Sequence, residues 1–335
     1  MTLAETITTD RLLDVRGLTL ELQRRSGPTT LVDGVSLHVD RGEIVGVVGE
    51  SGCGKSLTML GVLGLLPAGV RASESSHVDL AGNSIFDSSE RALQKLRGDV
   101  VSLIPSDAGA ALDPVARIGA QLDRALRAHD PRSSARSRRE RILAMFDRVR
   151  LPEPLKQFAK YPHQLSGGMQ QRAAIAAALL GDPQLIIADE PTTALDVTVQ
   201  AQVLALLLEI RDRLNAGILF VTHDMTAIAE ICDRVIVMYA GRVVEADTVD
   251  RVVSAPAHPY SCALLGSVPP LLGDRPEALT TIPGTPPSPG SWPEGCRFRA
   301  RCPLWEQLGR PEICATAEPM MPGERGAACH FAGQS

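Results

Sequence analysis

Aromatic side chains are scarce: 2 Trp, 3 Tyr and 6 Phe make up 3% of the 335 residues. Stacking platforms for single-stranded nucleic acid are therefore not expected, because such surfaces lay successive bases on aromatic rings. Positive charge is not in excess either. The 34 Lys and Arg face 39 Asp and Glu, a net charge of −5, which argues against non-specific nucleic-acid binding as the main role. The one basic run, residues 132–141, is interleaved with Ser and Glu and predicts a solvated helix start. No apolar run approaches the roughly 18 residues that a membrane span needs. Residues 1–10 are polar and acidic, unlike the basic and apolar regions of a signal peptide. The chain is expected to stay in the cytoplasm and to reach any membrane through a partner. Its 44% hydrophobic and 22% charged content is that of a folded globular protein, and its length allows a large core with an appendage.

What is present is a glycine-rich turn in a telling context. Gly49-Glu50-Ser51-Gly52-Cys53-Gly54-Lys55-Ser56 fits G-x-x-x-x-G-K-[ST]. A β-branched run, residues 43–48, precedes it and reads as a buried parallel strand; an apolar helical pattern from Leu57 follows. Glycines permit the torsions and close approaches that a Cβ would forbid. The loop N–H groups and the helix N-terminus then present fixed positive dipoles to phosphates. Lys55 is expected on the β- and γ-phosphates and the Ser56 hydroxyl on Mg²⁺, so the chain is expected to bind a nucleoside triphosphate.

Around this loop the chain alternates. Residues 11–48 read as several short strands broken at Ser26-Gly27-Pro28 and Asp33-Gly34, and a polar stretch with strand-like pieces spans 72–89. Residues 90–165, rich in Arg and broken by Pro131, Pro152, Pro154 and Pro162, read as a helical insertion. An α/β pattern resumes with helix 168–180, strand 185–188, helix 197–214, and strands 217–222 and 234–239. Apolar positions 199, 203, 206, 207, 210 and 214 form a helical stripe that reads as core. After about residue 254, Pro recurs every few residues and periodicity disappears. The boundary predicted there separates 1–253 from an extension, 254–335.

Leu165-Ser166-Gly167-Gly168-Met169-Gln170-Gln171-Arg172 resembles the LSGGQ signature of the ATP-binding-cassette (ABC) transporter ATPases, with Met where Gln is commoner. Residues 185–190 end in Asp189 and Glu190 and are similar to that family's Walker B strand; Thr193-Ala194-Leu195-Asp196 matches its D-loop, and His223 its switch histidine. The resemblance implies an α/β fold, a P-loop NTPase ABC cassette with an antiparallel β subdomain and a helical insertion at about 90–165. It implies ATP and Mg²⁺ as cofactors, contacted by Gly49, Ser51, Gly52, Cys53, Gly54, Lys55, Ser56 and Leu57, with Asp189 beside Ser56 on the metal. Glu190 is implied as general base or water-orienting group, His223 as its partner on the γ-phosphate. Two cassettes are implied to face head to tail, so that Ser166, Gly167, Gly168 and Asp196 of one serve ATP held by the other.

Two positions depart from the family pattern. Aligning residues 101–107 with the strand entering the insertion puts Ser106 where the family has a glutamine that contacts Mg²⁺ and water; serine is too short to reach as far. Leu22 sits about where an aromatic stacks on adenine, a contact worth on the order of 1–3 kcal/mol. Both fall on this chain's own site, while its donated signature is intact, so an asymmetric pair is expected. A shifted register that brings Asp107 in for the glutamine is the alternative.

In the extension, Ala257-His258-Pro259-Tyr260, residues 282–287, Gly295-Cys296 and Arg301-Cys302-Pro303 resemble the tail of dipeptide and oligopeptide importer cassettes. Expected partners are a second ABC ATPase, two membrane permeases and an extracytoplasmic peptide-binding protein, with the chain peripheral on the cytoplasmic face of the membrane. A soluble ABC ATPase of repair or translation, or a cassette for nickel or another small solute, is the alternative. The tail cysteines follow C-x5-C-x11-C-x14-C at Cys296, Cys302, Cys314 and Cys329. Disulfides do not suit a cytosolic chain, and zinc more often takes C-x2-C pairs. The resemblance implies a [4Fe–4S] cluster on these four thiolates, with zinc or free thiols left open. Cys53, Cys232 and Cys262 are expected to stand apart.

Overall fold

The computed structural model describes residues 10–193, 195–267 and 281–334. The acidic start, Ala194 of the D-loop match and part of the Pro-rich tail lie outside them. Strands β1 (Arg11–Leu22) and β2 (Thr29–Asp40) pair antiparallel over 12 residues each. Several short strands were expected here, and the reason for the difference is local. Ser26-Gly27-Pro28 is the connection between them, as expected, but register shifts fall at Gly17 and around Asp33-Gly34, so Asp33-Gly34, which reads as a turn, is a bulge that bends the strand without ending it.

β3 (Ile44–Val48) is buried at every position. β4 (Val70–Ala72), β5 (His77–Leu80) and β6 (Asn83–Ser84) complete the antiparallel sheet around β1. β7 (Val101–Ile104), β8 (Leu185–Asp189), β9 (Gly217–Thr222), β10 (Arg234–Tyr239), β11 (Arg242–Thr248) and β12 (Gly326–Ala327) join β3 in a second sheet ordered β12-β11-β10-β3-β9-β8-β7. From β10 to β7 the pairing is parallel; β11 and β12 are antiparallel. β3 lies well inside this sheet and feeds both cores: Ile44 and Val48 face one apolar cluster, Val45 and Val47 the other. That two-sided burial is why the strand reads as an unbroken apolar run.

Residues 101–104, inside the stretch expected as helical insertion, form β7 at the sheet's edge. The helices that follow it, Ile118–His129, Ala135–Arg148 and Pro154–Ala159, pack on one another. The basic run opens the helix Ala135–Arg148, capped by the Ser134 side chain. Arg138 departs from the solvated pattern: it is buried and reaches Asp123 at 2.7 Å. Among the described residues no helix is long and apolar enough to cross a membrane.

The extension does not hang free. β12 adds to the edge of β11, and Tyr260 and Phe298 are buried in the same apolar cluster as β3 and β9. Phe298 packs edge-on against Tyr239 of β10 and Tyr260, with ring centroids 5.2 and 5.4 Å away. His258 closes the group. Burial holds it neutral, with a pKa lowered to about 4, and its Nδ1 accepts from the Tyr260 N–H.

Candidate functional site

Parallel pairing brings the carboxyl ends of β3, β9 and β8 into line: Val48 stands opposite Thr222, and Val221 opposite Asp189. Ligands of open parallel sheets bind outside such ends. The phosphate loop, the paired carboxylates and His223 leave from this edge.

The loop after β3 is held by close backbone approaches. A Cβ on Gly49 would lie 2.2 Å from the Met238 carbonyl oxygen, so no other residue fits there without moving β10. Gly54 takes φ 105° as the residue before helix Lys55–Val62, a torsion that costs glycine little. Cys53 is buried and its carbonyl accepts from Gly241 N–H, while its thiol is pushed up by burial. Ser51 and Gly52 are exposed at the loop's crest, and Leu57 is half-buried in the first helical turn. The Lys55 ammonium donates to the carbonyls of Gly49 (2.7 Å) and Glu50 (3.1 Å). It is thereby held against the start of the loop.

Ser56 Oγ and Asp189 Oδ1 stand 3.2 Å apart. Burial raises the Asp189 pKa, partly countered by this hydrogen bond. Two hard oxygen donors at this separation suit Mg²⁺, which binds through carboxylate, hydroxyl and retained waters. Glu190, the next residue, sits in the left-handed region at φ 47°, an outlier of the kind that clusters at functional sites. Its N–H is tied to Val221 O at 2.8 Å, which keeps it on the β9 side. Its carboxylate receives the Thr193 hydroxyl at 3.0 Å and lies 3.3 Å from His223 Nδ1. The expected pair is thus in contact. Thr193, which the sequence offered only as part of the D-loop match, donates to Glu190.

The signature opens the helix Gly167–Leu179. Ser166 precedes helix Gly167–Leu179 without capping it with its side chain, and Ser166 and Gly167 are exposed. A Cβ on Gly167 would meet nothing within 4 Å. This is an open helix N-terminus, the arrangement that receives anions. Among the described residues no hydrogen bond links it to the phosphate loop. Asp196 uses its carboxylate to cap helix Val197–Leu214 through Val199 N–H. Ser106 is exposed just past β7, and Asp107, the other polar side chain of that turn, is committed to capping through Ala110 N–H at 2.9 Å. Leu22 ends β1, opposite Thr29 and Val70.

In the extension, Cys296, Cys302, Cys314 and Cys329 line one small pocket with His258, Trp305 and His330. Burial pushes the Cys296 thiol up to about 12, and the other three cysteines add to it. Cys262, expected to stand apart, approaches this group: it helps raise the thiols of Cys302 and Cys329. The four expected ligands therefore converge. Among the described residues, however, no group of three or more His, Cys, Asp or Glu side chains is placed to hold a metal ion.

Comparison with known proteins agrees with this geometry. The family described as ABC transporter matches residues 32–193, and that described as the C-terminal region of oligopeptide/dipeptide transporters matches 244–307. The oligopeptide transport ATP-binding protein OppD of Escherichia coli is 43% identical over 93% of this chain and 90% of its own. The dipeptide transport ATP-binding protein DppD of Bacillus subtilis is 42% identical over 88% and 87%. Among solved structures, an ATP-binding cassette captured as a dimer with ADP and phosphate aligns with a TM-score of 0.63 at 28% identity, over 71% of this chain and 98% of its own. With a cassette core and an importer-type tail in one polypeptide, the chain belongs to the ABC transporter ATP-binding proteins of the oligopeptide/dipeptide family.

Proposed function

We propose that this chain hydrolyses ATP to power uptake of dipeptides or oligopeptides. It would act through two membrane permeases served by an extracytoplasmic binding protein, and would sit peripherally on the cytoplasmic face. The observation that carries the reading is the cluster of Lys55, Ser56, Asp189, Glu190 and His223 at three adjacent strand ends. Lys55 neutralises phosphate charge, and Glu190, oriented by Thr193 and His223, positions or deprotonates the attacking water. Ser56 and Asp189 would hold Mg²⁺, which would supply charge neutralisation for the transferred phosphoryl group. In a cell that needs peptides for an essential amino acid, wild-type chain should restore peptide-dependent growth to a deletion strain, and Lys55→Ala should not. Growth restored equally by both would remove ATP from the transport step.

We further read the chain as a 1–253 cassette with a 254–335 extension, working opposite a different, second cassette. The exposed helix start at Ser166–Gly168 supports its donation to that partner. Its own site, with Ser106 and Leu22, turns over slowly. Measured in an assembled transporter whose opposite site is disabled, Ser106→Gln should raise turnover at this chain's own site by about 10²-fold, the low end of what one positioned contact contributes; unchanged turnover would count against the asymmetry. The tail thiols are read as ligands of a [4Fe–4S] cluster. The convergence of the four cysteines on one pocket supports this reading. Anaerobically purified chain should be brown and lose its colour in the Cys302→Ala variant. Colourless, iron-free protein would refute it.

A further inference from the structure

Glu50, inside the phosphate loop, is gripped by the far end of the chain. Arg301 Nη1 donates to Glu50 Oε2 at 2.6 Å and Nη2 to Oε1 at 2.9 Å, the two-pronged pairing that guanidinium and carboxylate make best. Arg301 is 6% exposed. It is fixed from behind by donation from Nε to Pro283 O at 2.7 Å, and its Nη1 also reaches the Tyr239 hydroxyl at 3.3 Å. The backbone of the same loop residue is held too: Glu50 N–H donates to the hydroxyl of fully buried Tyr260 at 2.8 Å. The Glu50 carbonyl, in turn, is one of the two acceptors of Lys55 Nζ. Side chain and N–H of this one residue are therefore set by the extension, and its carbonyl touches the phosphate-binding lysine.

A carboxylate is a poor neighbour for a triphosphate. Left uncompensated in a loop whose N–H groups and lysine collect phosphate, it would repel the ligand by an amount worth on the order of tenfold in affinity at the effective dielectric of a protein surface. We propose that Arg301 is a positioning residue for ATP binding. By neutralising Glu50 and fixing its backbone, it lets the extension set the affinity of the phosphate loop. The inference rests on ATP binding at this loop, and is independent of which solute is carried or whether this site hydrolyses.

The test is equilibrium binding of a fluorescent ATP analogue with Mg²⁺ to the full-length purified chain. Arg301→Gln should weaken binding by about tenfold, and the defect should shrink as salt screens the exposed carboxylate. Adding Glu50→Gln to Arg301→Gln should bring affinity back to within about threefold of wild type, because the charge that needed a partner is gone. A bridge that merely anchors the extension gives no such rescue. Arg301→Gln with wild-type affinity, or a double variant as weak as the single, overturns the proposal. Should Gln at 301 prevent folding, Arg301→Lys decides: it keeps the cation, so binding must stay within about threefold of wild type, and a tenfold loss overturns the idea. Wild-type chain that binds no analogue would overturn the ATP reading itself, and this inference with it.

Discussion

Glu190→Gln is expected to slow hydrolysis at this chain's own site by about 10²–10⁴-fold, the usual contribution of a positioned acid or base, while ATP stays bound. The substitution is nearly isosteric. Its amide oxygen can still accept from Thr193, whose hydroxyl lies 3.0 Å from the present carboxylate, so the turn at φ 47° should persist. What disappears is the group able to take a proton from water or orient it beside His223, 3.3 Å away. Lys55 and the Ser56–Asp189 pair are untouched, so ground-state binding remains. Closure of a pair of cassettes on ATP is driven by differential affinity for the bound nucleotide; if the nucleotide cannot be cleaved, the closed pair should accumulate. Single-turnover kinetics in an assembly whose opposite site is disabled, with size-exclusion chromatography to detect the trapped pair, measures both effects. Undiminished turnover would remove Glu190 from the chemistry.

Phe298→Ala carries the largest expected cost in stability, about 3–5 kcal/mol for a buried phenylalanine. The ring is 1% exposed and packs against Tyr239 and Tyr260 at 5.2 and 5.4 Å, edge-on contacts that add about 0.5–1.5 kcal/mol per pair beyond area burial. Whole domains are stable by only about 5–15 kcal/mol. A loss of this size therefore decides whether the extension stays seated on β10. Urea unfolding of the full chain should show a lower midpoint. A shift equivalent to less than about 1 kcal/mol would mean that the extension's packing contributes little to the cassette.

What could be read from residue order was local. Helix Val197–Leu214 and strands β9 and β10 begin and end where periodicity puts them; Asp196 caps one end of the helix and Asn215 turns left-handed at the other. Walker loop, paired carboxylates and histidine were legible because each motif carries its own spacing and the parallel strands bring the ends into line. β1 and β2 run longer than the several short strands expected because a bulge at Asp33-Gly34 uses the residues of a turn. The grip on Glu50 was invisible because its partner is 251 residues away. Cys262 was set aside for the same reason: only the folded tail carries it toward Cys302 and Cys329.

The short strand β12 has a consequence for how a cell makes this molecule. β11 is complete on the ribosome before Gly326–Ala327, the segment that pairs with its outer edge at Glu245 and Ala246, has been made. Until then the nascent polypeptide displays unpaired N–H and C=O groups along a strand, the kind of border that recruits other unfinished chains. Premature termination before Gly326 would leave that border unpaired, so such products should be clients of chaperones or proteases rather than merely less active transport subunits.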